Sequence, residues 1–232
     1  MANKTIAPNN EPEVVIEEAI NQSETFIFKN GKKLITALAV IVIVVGGFFA
    51  YTQLYKLPRQ EKAAAMMFVA EQAFLADSLS LALNGDGNGI AGFLKVIAEY
   101  GSTPSGNLAR HYAGVCYMHM GEYETAIAQL SSYTAVDGAP AEIINAQNLG
   151  LQGDAYIQMG STDKAISMYE KAISSSDNSL TAPYYLSKAA GLYKTTGANN
   201  KALAAYKRIR NEYINSMEAQ NVEKYIGQLE QL

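Results

Sequence analysis

Three side chains that can bind metal ions lie close together in the sequence, at His111, Cys116 and His119. Imidazole nitrogens and thiolates are the ligands that Zn²⁺ prefers in proteins. On a helix, however, His111 and Cys116 are five positions apart and do not share one face cleanly. We therefore predict core or groove-lining positions for these side chains, and neither a metal ion nor a cofactor.

A run of Gly, Asp and Asn between Asn84 and Gly89 is a second candidate site, this time for Ca²⁺. A calcium-binding loop needs alternating oxygen ligands and a Glu at its twelfth position. Counted from Asn84, the twelfth residue is Lys95, and Asp86 is the one acidic residue of the run. The run therefore predicts a tight loop between two helices.

The remaining composition argues against enzymes and nucleic-acid-binding proteins. The two histidines lie close together, and no Gly-rich loop follows a strand to hold a phosphate, so we predict no catalysis. The net charge is −4 without a stripe of Lys and Arg, which argues against nucleic acid as a partner. One cysteine excludes an internal disulfide framework.

One pattern of residue types occurs three times: a small residue, then Tyr, Gly, Ala and a bulky apolar residue at +3, +7, +12 and +16. The three units are Gly114, Tyr117, Gly121, Ala126, Leu130; Gly153, Tyr156, Gly160, Ala165, Tyr169; and Ala190, Tyr193, Gly197, Ala202, Tyr206. They start 39 and 37 residues apart, so each unit is a supersecondary module.

The spacing predicts a pair of helices in each unit. Residues three apart share one face of a first helix, and the Gly at +7 ends that helix in a left-handed conformation. The Ala and the bulky residue after it share the inner face of a second helix. Such hairpins must stack to bury their apolar faces, so the sequence predicts an all-α fold with an α-solenoid and an extended binding surface.

At these positions residues 107–212 resemble the tetratricopeptide repeat family, with extended joints at Thr134–Ala141 and Ser174–Thr181. The resemblance implies that the first helices line a concave groove, which suits an extended or helical segment of a protein partner. The residues that it implies for this groove are His111, Val115, Met118, His119, Asp154, Ile157, Gln158, Ser187 and Lys194.

An uncharged run of 18 residues, Leu34–Tyr51, predicts one transmembrane helix, which we place at residues 34–55. The run is longer than the apolar part of a signal peptide and lacks a convincing cleavage site, so we expect an uncleaved anchor. Three basic residues flank each side, which leaves the positive-inside rule undecided. A short tail more often stays in the cytoplasm, so we expect a single-pass protein of the bacterial inner membrane, with a cytoplasmic N-terminus and periplasmic repeats.

Three further segments complete the predicted organisation. Residues 1–33 form a largely disordered tail. Residues 56–106 hold a long helix, Arg59–Leu83, and a second helix, Asn88–Tyr100, which together make a degenerate first repeat. Residues 213–232 provide a capping helix, Met217–Gln231, with Ser216 as its N-cap.

An anchor, a long helix and a short repeat array also resemble the YfgM-like ancillary subunits of the bacterial SecYEG translocon. The resemblance implies translocon subunits or a periplasmic chaperone as partners, and a role in handling exported proteins. A structural scaffold of another envelope or membrane complex remains the alternative, because fold does not specify function. If the orientation in the membrane is reversed, a receptor that faces the cytosol and binds targeting signals is a third possible function.

Overall fold

A computed structural model describes the backbone of residues 12–231 and, within that range, all side chains except those of residues 12–19 and 22. Every regular element in this part of the chain is a helix, and one isolated bridge pairs Gly85 with Ala91. The chain divides into two compact units, residues 1–58 and residues 59–232. The predicted all-α class is confirmed.

The N-terminal unit contains α1, Pro12–Tyr51, followed by a π-helical turn, Thr52–Lys56, and the start of α2, Leu57–Leu75. The predicted tail of residues 1–33 lies only partly within the described residues. From Pro12 onward the structure has helix where the sequence predicts disorder. The physical reason is that residues 13–33 contain no proline and a single glycine, so that nothing there interrupts a helix.

The helical stretch Ser23–Leu75 holds one segment that is long and apolar enough to cross a membrane, by length and composition. Its apolar side chains are exposed, as Ile35 and Phe48 are at 70% and 71%. Tyr51 and Tyr55 stack at a centroid distance of 5.5 Å beyond the apolar run. A signal sequence near an N-terminus meets the same criterion, so this segment is a candidate membrane span.

The second unit contains three helical hairpins, as the repeats predict. Their helices are α5 (Pro104–Met120) and α6 (Tyr123–Ser131), α7 (Ala141–Gln158) and α8 (Thr162–Ser175), and α9 (Ala182–Thr195) and α10 (Asn199–Glu212). They are preceded by α3 (Leu79–Asn84) and α4 (Phe93–Tyr100), and followed by a 3₁₀ turn (Glu218–Asn221) and α11 (Val222–Leu229).

The glycine at +7 ends the first helix of each hairpin in the left-handed conformation, as predicted. The φ angles of Gly121, Gly160 and Gly197 are 76°, 71° and 77°. In the second hairpin the Ser161 N–H donates to the Tyr156 carbonyl at 2.8 Å, and the other two hairpins repeat this bond to their Tyr at +3. The fixed spacing from Tyr to Gly is therefore that of one helix-terminating motif.

We expect Gly160→Ala to lower the free energy of unfolding by about 1–2 kcal/mol, because a Cβ atom is strained at positive φ. A Cβ at this position would meet no atom within 4 Å, so the effect is conformational. Gly160→Asn is the matched control, since Asn tolerates the left-handed region. Urea unfolding measures both variants, and equal losses for the two would contradict this account.

The predicted long helix Arg59–Leu83 is wrong, because α2 ends at Leu75 and α3 begins at Leu79. Asp77 lies between them with a φ of 56°, and the Ser78 N–H donates to the Ala73 carbonyl at 3.0 Å. The same type of backbone bond ends the first helix of each of the three hairpins, where a Gly occupies the position of Asp77. Asp77 therefore occupies the +7 position of a degenerate repeat.

The predicted helix Asn88–Tyr100 is also shorter than expected, since α4 begins at Phe93. The residues before it form a loop that the Asp86 carboxylate closes by accepting backbone N–H bonds from Asn88, Gly89 and Ile90 at 2.8–3.0 Å. These hydrogen bonds stabilise the charged carboxylate and lower the pKa of Asp86, and the bonds from Asn88 and Ile90 have the largest effects. This carboxylate thus serves the fold of the loop.

Two apolar cores hold the second unit together. One lies around Phe93 and Val96, both fully buried. The other extends from Ala146 to Leu229 and includes Val222 and Ile226 of α11.

The segment predicted as a capping helix covers the last hairpin. Tyr225 stacks on Tyr206 at 5.0 Å, and the Ala219 N–H donates to Ser216 Oγ at 3.2 Å. The helix of this segment is shorter than predicted, since its first turn is 3₁₀.

Candidate functional site

Four of the nine predicted groove residues line one pocket between α5, α7 and α9. They are Met118, Asp154, Ile157 and Gln158. The pocket has a volume of about 490 Å³ and is completed by Tyr169, Lys188 and Leu192. We call it the groove pocket.

Two glycines of α7 shape this region, because they let two tyrosine rings lie against the helix backbone. A Cβ on Gly153 would be 2.5 Å from Tyr169 Cε1, and a Cβ on Gly150 would be 2.1 Å from Tyr185 Cε1. The two rings stack with a centroid distance of 6.1 Å. The small residue that begins the second repeat therefore makes room for the bulky residue at +16.

Tyr169 also reaches the groove pocket, although its position in the repeat predicts only a core role. Its hydroxyl donates to Asp154 Oδ1 at 2.5 Å, and Lys188 Nζ donates to the same oxygen at 2.6 Å. The Lys188 ammonium lies 5.5 Å from the ring centroid of Tyr169 and 5.0 Å from that of Tyr184. An ion pair supported by two aromatic rings thus forms one wall of the pocket.

The pKa shifts follow from this arrangement. Burial raises the pKa of the Tyr169 hydroxyl, and its bond to the Asp154 carboxylate raises it further. Burial lowers the pKa of Lys188, but the hydrogen bonds and charges of Asp154 and Tyr184 together raise it above its ordinary value. Both side chains therefore keep their protons at neutral pH and present hydrogen-bond donors beside a carboxylate.

His111 lies outside the groove pocket, in a buried polar cluster between α5 and α7. Its side chain is 7% exposed, and its Nδ1 lies 3.4 Å from Asn148 Nδ2. Gln152 Nε2 donates to Asn148 Oδ1 at 3.0 Å. Burial lowers the pKa of His111 to about 4, so the imidazole is neutral inside the protein.

The other four predicted residues do not line the pocket. Val115 and Ser187 are half-buried, whereas His119 and Lys194 are exposed. Lys194 Nζ donates to Gln228 Oε1 of α11 at 3.0 Å.

Sequence reasoning missed Lys188, which lies one position after the implied Ser187, and Leu192. They lie on the side of α9 that approaches α7. Matching positions between repeats does not predict which side of α9 faces the pocket. That side depends on how one hairpin is rotated against the next.

The described residues contain no group of three or more His, Cys, Asp and Glu side chains that could hold a metal ion. The Cys116 side chain is fully buried, and burial raises the pKa of its thiol to about 11. Its thiol is therefore protonated at neutral pH and shielded from reagents.

Residues 146–179 match the model of the tetratricopeptide repeat family. This range contains the second predicted repeat, Gly153–Tyr169, so this part of the chain is similar to a tetratricopeptide repeat. Repeats of this kind mediate contacts between proteins.

Two solved structures show similarity to the chain. One is the MamA protein, with 16% identity, a TM-score of 0.49 and coverage of 74% of this chain and 89% of that one. The other is a thermophilic TPR protein of Thermus thermophilus, with 19% identity, a TM-score of 0.44 and coverage of 84% and 97%. The curated proteins give no significant match.

Proposed function

We propose that this protein is an adaptor that binds a segment of another protein in the groove pocket. The observation that carries the proposal is the pocket itself, which combines apolar Met118, Ile157 and Leu192 with the Asp154–Lys188 ion pair. Apolar side chains supply burial, and a few fixed polar groups supply orientation, as in other recognition sites. A volume of about 490 Å³ suits a few side chains of an extended or helical segment.

We further propose that a membrane anchor at residues 34–55 holds this adaptor at the bacterial inner membrane, with the repeats in the periplasm. The exposed apolar side chains of that segment support the anchor. The resemblance to ancillary translocon subunits supports a role at the exit of the translocon, with translocon subunits or a periplasmic chaperone as partners. The scaffold of another envelope complex is the competing function.

Site-specific crosslinking in native membranes tests this proposal. A photoreactive amino acid replaces Gln158 at the groove pocket, and a second variant carries it at the exposed Lys171 of α8 as a control. We expect the photoreactive group at position 158 to crosslink to translocon subunits or a periplasmic isomerase. The same group at position 171 is expected not to crosslink to them. Recovery of other envelope proteins supports the scaffold. Equal capture at both positions would show that the groove pocket is not the binding site.

The orientation needs a thiol probe other than the buried Cys116. Asn200→Cys places a thiol at an exposed position of the last hairpin. In intact spheroplasts, a membrane-impermeant maleimide is expected to label this variant and to leave the wild-type protein unlabelled. Labelling of the variant only after lysis would contradict the periplasmic orientation.

A further inference from the structure

The helix α2 is apolar on the side that faces the protein and also on the opposite side. From Ala63 to Ala76 the sequence holds one charged residue, Glu71. Phe74 packs inward, with its ring centroid 5.3 Å from that of Tyr112. The buried residues of α2 are Ala63, Met67, Ala70 and Ala73. A helix that is apolar all round is normally covered all round, so we expect the outer side of α2 to have a partner.

That outer side is exposed in the part of the chain that the structure describes. Phe68 and Leu75 are exposed at 60% and 76%. Ala65 and Gln72 are also exposed, and with these two they follow one another at spacings of three, four and three residues. We call Ala65, Phe68, Gln72 and Leu75 the α2 stripe. This spacing places the four residues in line on one face of the helix, as in the seam of a coiled coil.

The two ends of the helical array differ in what they expose. The C-terminal helix α11 exposes polar residues, namely Glu223, Lys224 and Gln228. A polar outer face is what a terminal cap of stacked repeats needs for solubility. The helix α2 follows the candidate membrane span in the chain rather than another hairpin, and its outer face is apolar. It therefore has the character of an interface and not of a cap.

The side chains of the α2 stripe suit a second copy of the same helix. In a parallel pair each residue meets its own counterpart, so a charge on the stripe would face a like charge, and the stripe carries none. Gln72 has both a donor and an acceptor, so its amide can pair with the same amide of a second copy and fix the register. A different protein would gain specificity from complementary charges, which the stripe does not offer.

The residues beside the α2 stripe agree with this pairing. Those that flank it are small or apolar and let two helices approach closely: Ala64, Val69 and Ala76. Glu71 is half-buried and lies towards Tyr112, whose pKa is raised by burial and further by the charge of Glu71. Glu61 continues the line of the stripe at its start, and Lys62 next to it offers the opposite charge to the same position of a second copy.

The proposed membrane anchor favours the parallel arrangement. The helix α2 begins at Leu57, six residues after the uncharged run ends at Tyr51, so two chains anchored from one side carry the stripe at the same distance along the sequence. The stripe is about 15 Å long, which is short for the about 800 Å² per partner of a standard interface. Confinement of both copies to one membrane raises their effective concentration and compensates for the small area.

We propose that the α2 stripe is a dimer interface, on which a second copy of this chain packs its own α2 stripe in parallel and in register. The parallel orientation rests on the proposed anchor. The dimer goes beyond the adaptor function, because α2 contributes no residue to the groove pocket. Each dimer therefore presents two groove pockets, and both stay open to a partner.

Disulfide crosslinking of the full chain in native membranes tests the proposal. Gln72→Cys places a thiol on the α2 stripe, and Asn200→Cys places one at an exposed position of α10 as a control, while Cys116 is buried in both. Under mild oxidation we expect Gln72→Cys to give at least about tenfold more disulfide-linked dimer of this chain, because the interface holds the two thiols together. Equal yields, or a disulfide to a different protein, would overturn the proposal.

Charged variants at Phe68 show whether the stripe meets itself. In the Gln72→Cys chain, Phe68→Glu and Phe68→Lys are each expected to lower the dimer yield at least about tenfold, because like charges then face each other. Co-expression of the two variants places opposite charges together and is expected to restore a mixed dimer. Leu180→Glu is the matched control, since Leu180 is 63% exposed and lies outside α2. Misfolding cannot produce such a rescue, and its absence would refute the assignment.

Membrane fractionation separates this proposal from the anchor. A chain found in the soluble fraction would contradict the anchor, and sedimentation of the purified full chain would then test the α2 stripe with the same Phe68 variants. A dimer that persists in Phe68→Glu would show that the membrane segment or another surface pairs the copies, and would overturn the role of the stripe.

Discussion

Replacing Gly153 by alanine is expected to lower the free energy of unfolding by about 1–3 kcal/mol, because overpacking a close helix contact forces shifts. The new Cβ would be 2.5 Å from Tyr169 Cε1. Tyr169 is 3% exposed and is held by its bond to Asp154, so its ring has little freedom to move. We expect the same loss for Gly150→Ala, whose Cβ would meet the Tyr185 ring at 2.1 Å.

Gly191→Ala is the matched control for both variants. Gly191 also lies inside a first helix, but a Cβ there would meet no atom within 4 Å. Alanine is the better helix former, so we expect this variant to be more stable by about 0.5–1 kcal/mol. Urea unfolding at neutral pH measures all three. A stabilised Gly153→Ala would show that α7 does not approach the Tyr169 ring closely.

Gly153→Ala is also expected to change the shape of the groove pocket. Tyr169 touches both Gly153 and Asp154, so a shift of its ring moves the carboxylate that holds Lys188. The contact that closes the second hairpin thereby also sets the position of the ion pair in the pocket. The stability of the repeat and the shape of the candidate binding site are therefore coupled through one side chain.

The hairpins could be predicted from the sequence because each depends on short-range spacing. Within the repeat pattern, the Gly at +7 ends the first helix of each hairpin, and Gly160 illustrates this with a φ of 71°. The break at Asp77 could not be predicted in the same way. Asp adopts the left-handed region less often than Gly, and its presence there depends on the hydrogen bonds around it.

The composition of the groove pocket was less predictable than the hairpins. Met118, Asp154 and Ile157 line it as the family resemblance implied. On α9, however, Lys188 lines the pocket where the resemblance implied Ser187. A shift of one residue on α9 turns a side chain by about 100°, and the packing of one hairpin on the next decides which residue faces the pocket. Spacing within a repeat carries no information about that rotation.

Acidification is expected to destabilise the protein through His111, by about 2 kcal/mol between pH 7 and pH 5. Its folded-state pKa of about 4 lies below the unfolded value of 6.5. Between these two values the unfolded chain takes up a proton that the folded protein excludes. The neutral imidazole therefore stabilises the fold fully above pH 6.5, and this contribution is lost as the pH falls towards 4.

The pH dependence of urea unfolding in two single-histidine variants checks this expectation. His111→Gln keeps a polar group near Asn148 but removes the titration, so its stability is expected to change less between pH 7 and pH 5 than that of the wild type. His119→Gln is the matched control, because His119 is exposed. Because the comparison concerns the slope with pH, any constant loss of stability in His111→Gln leaves it valid. An unchanged slope in His111→Gln would show that the imidazole is open to protons in the folded protein, and would place it in the groove rather than between α5 and α7.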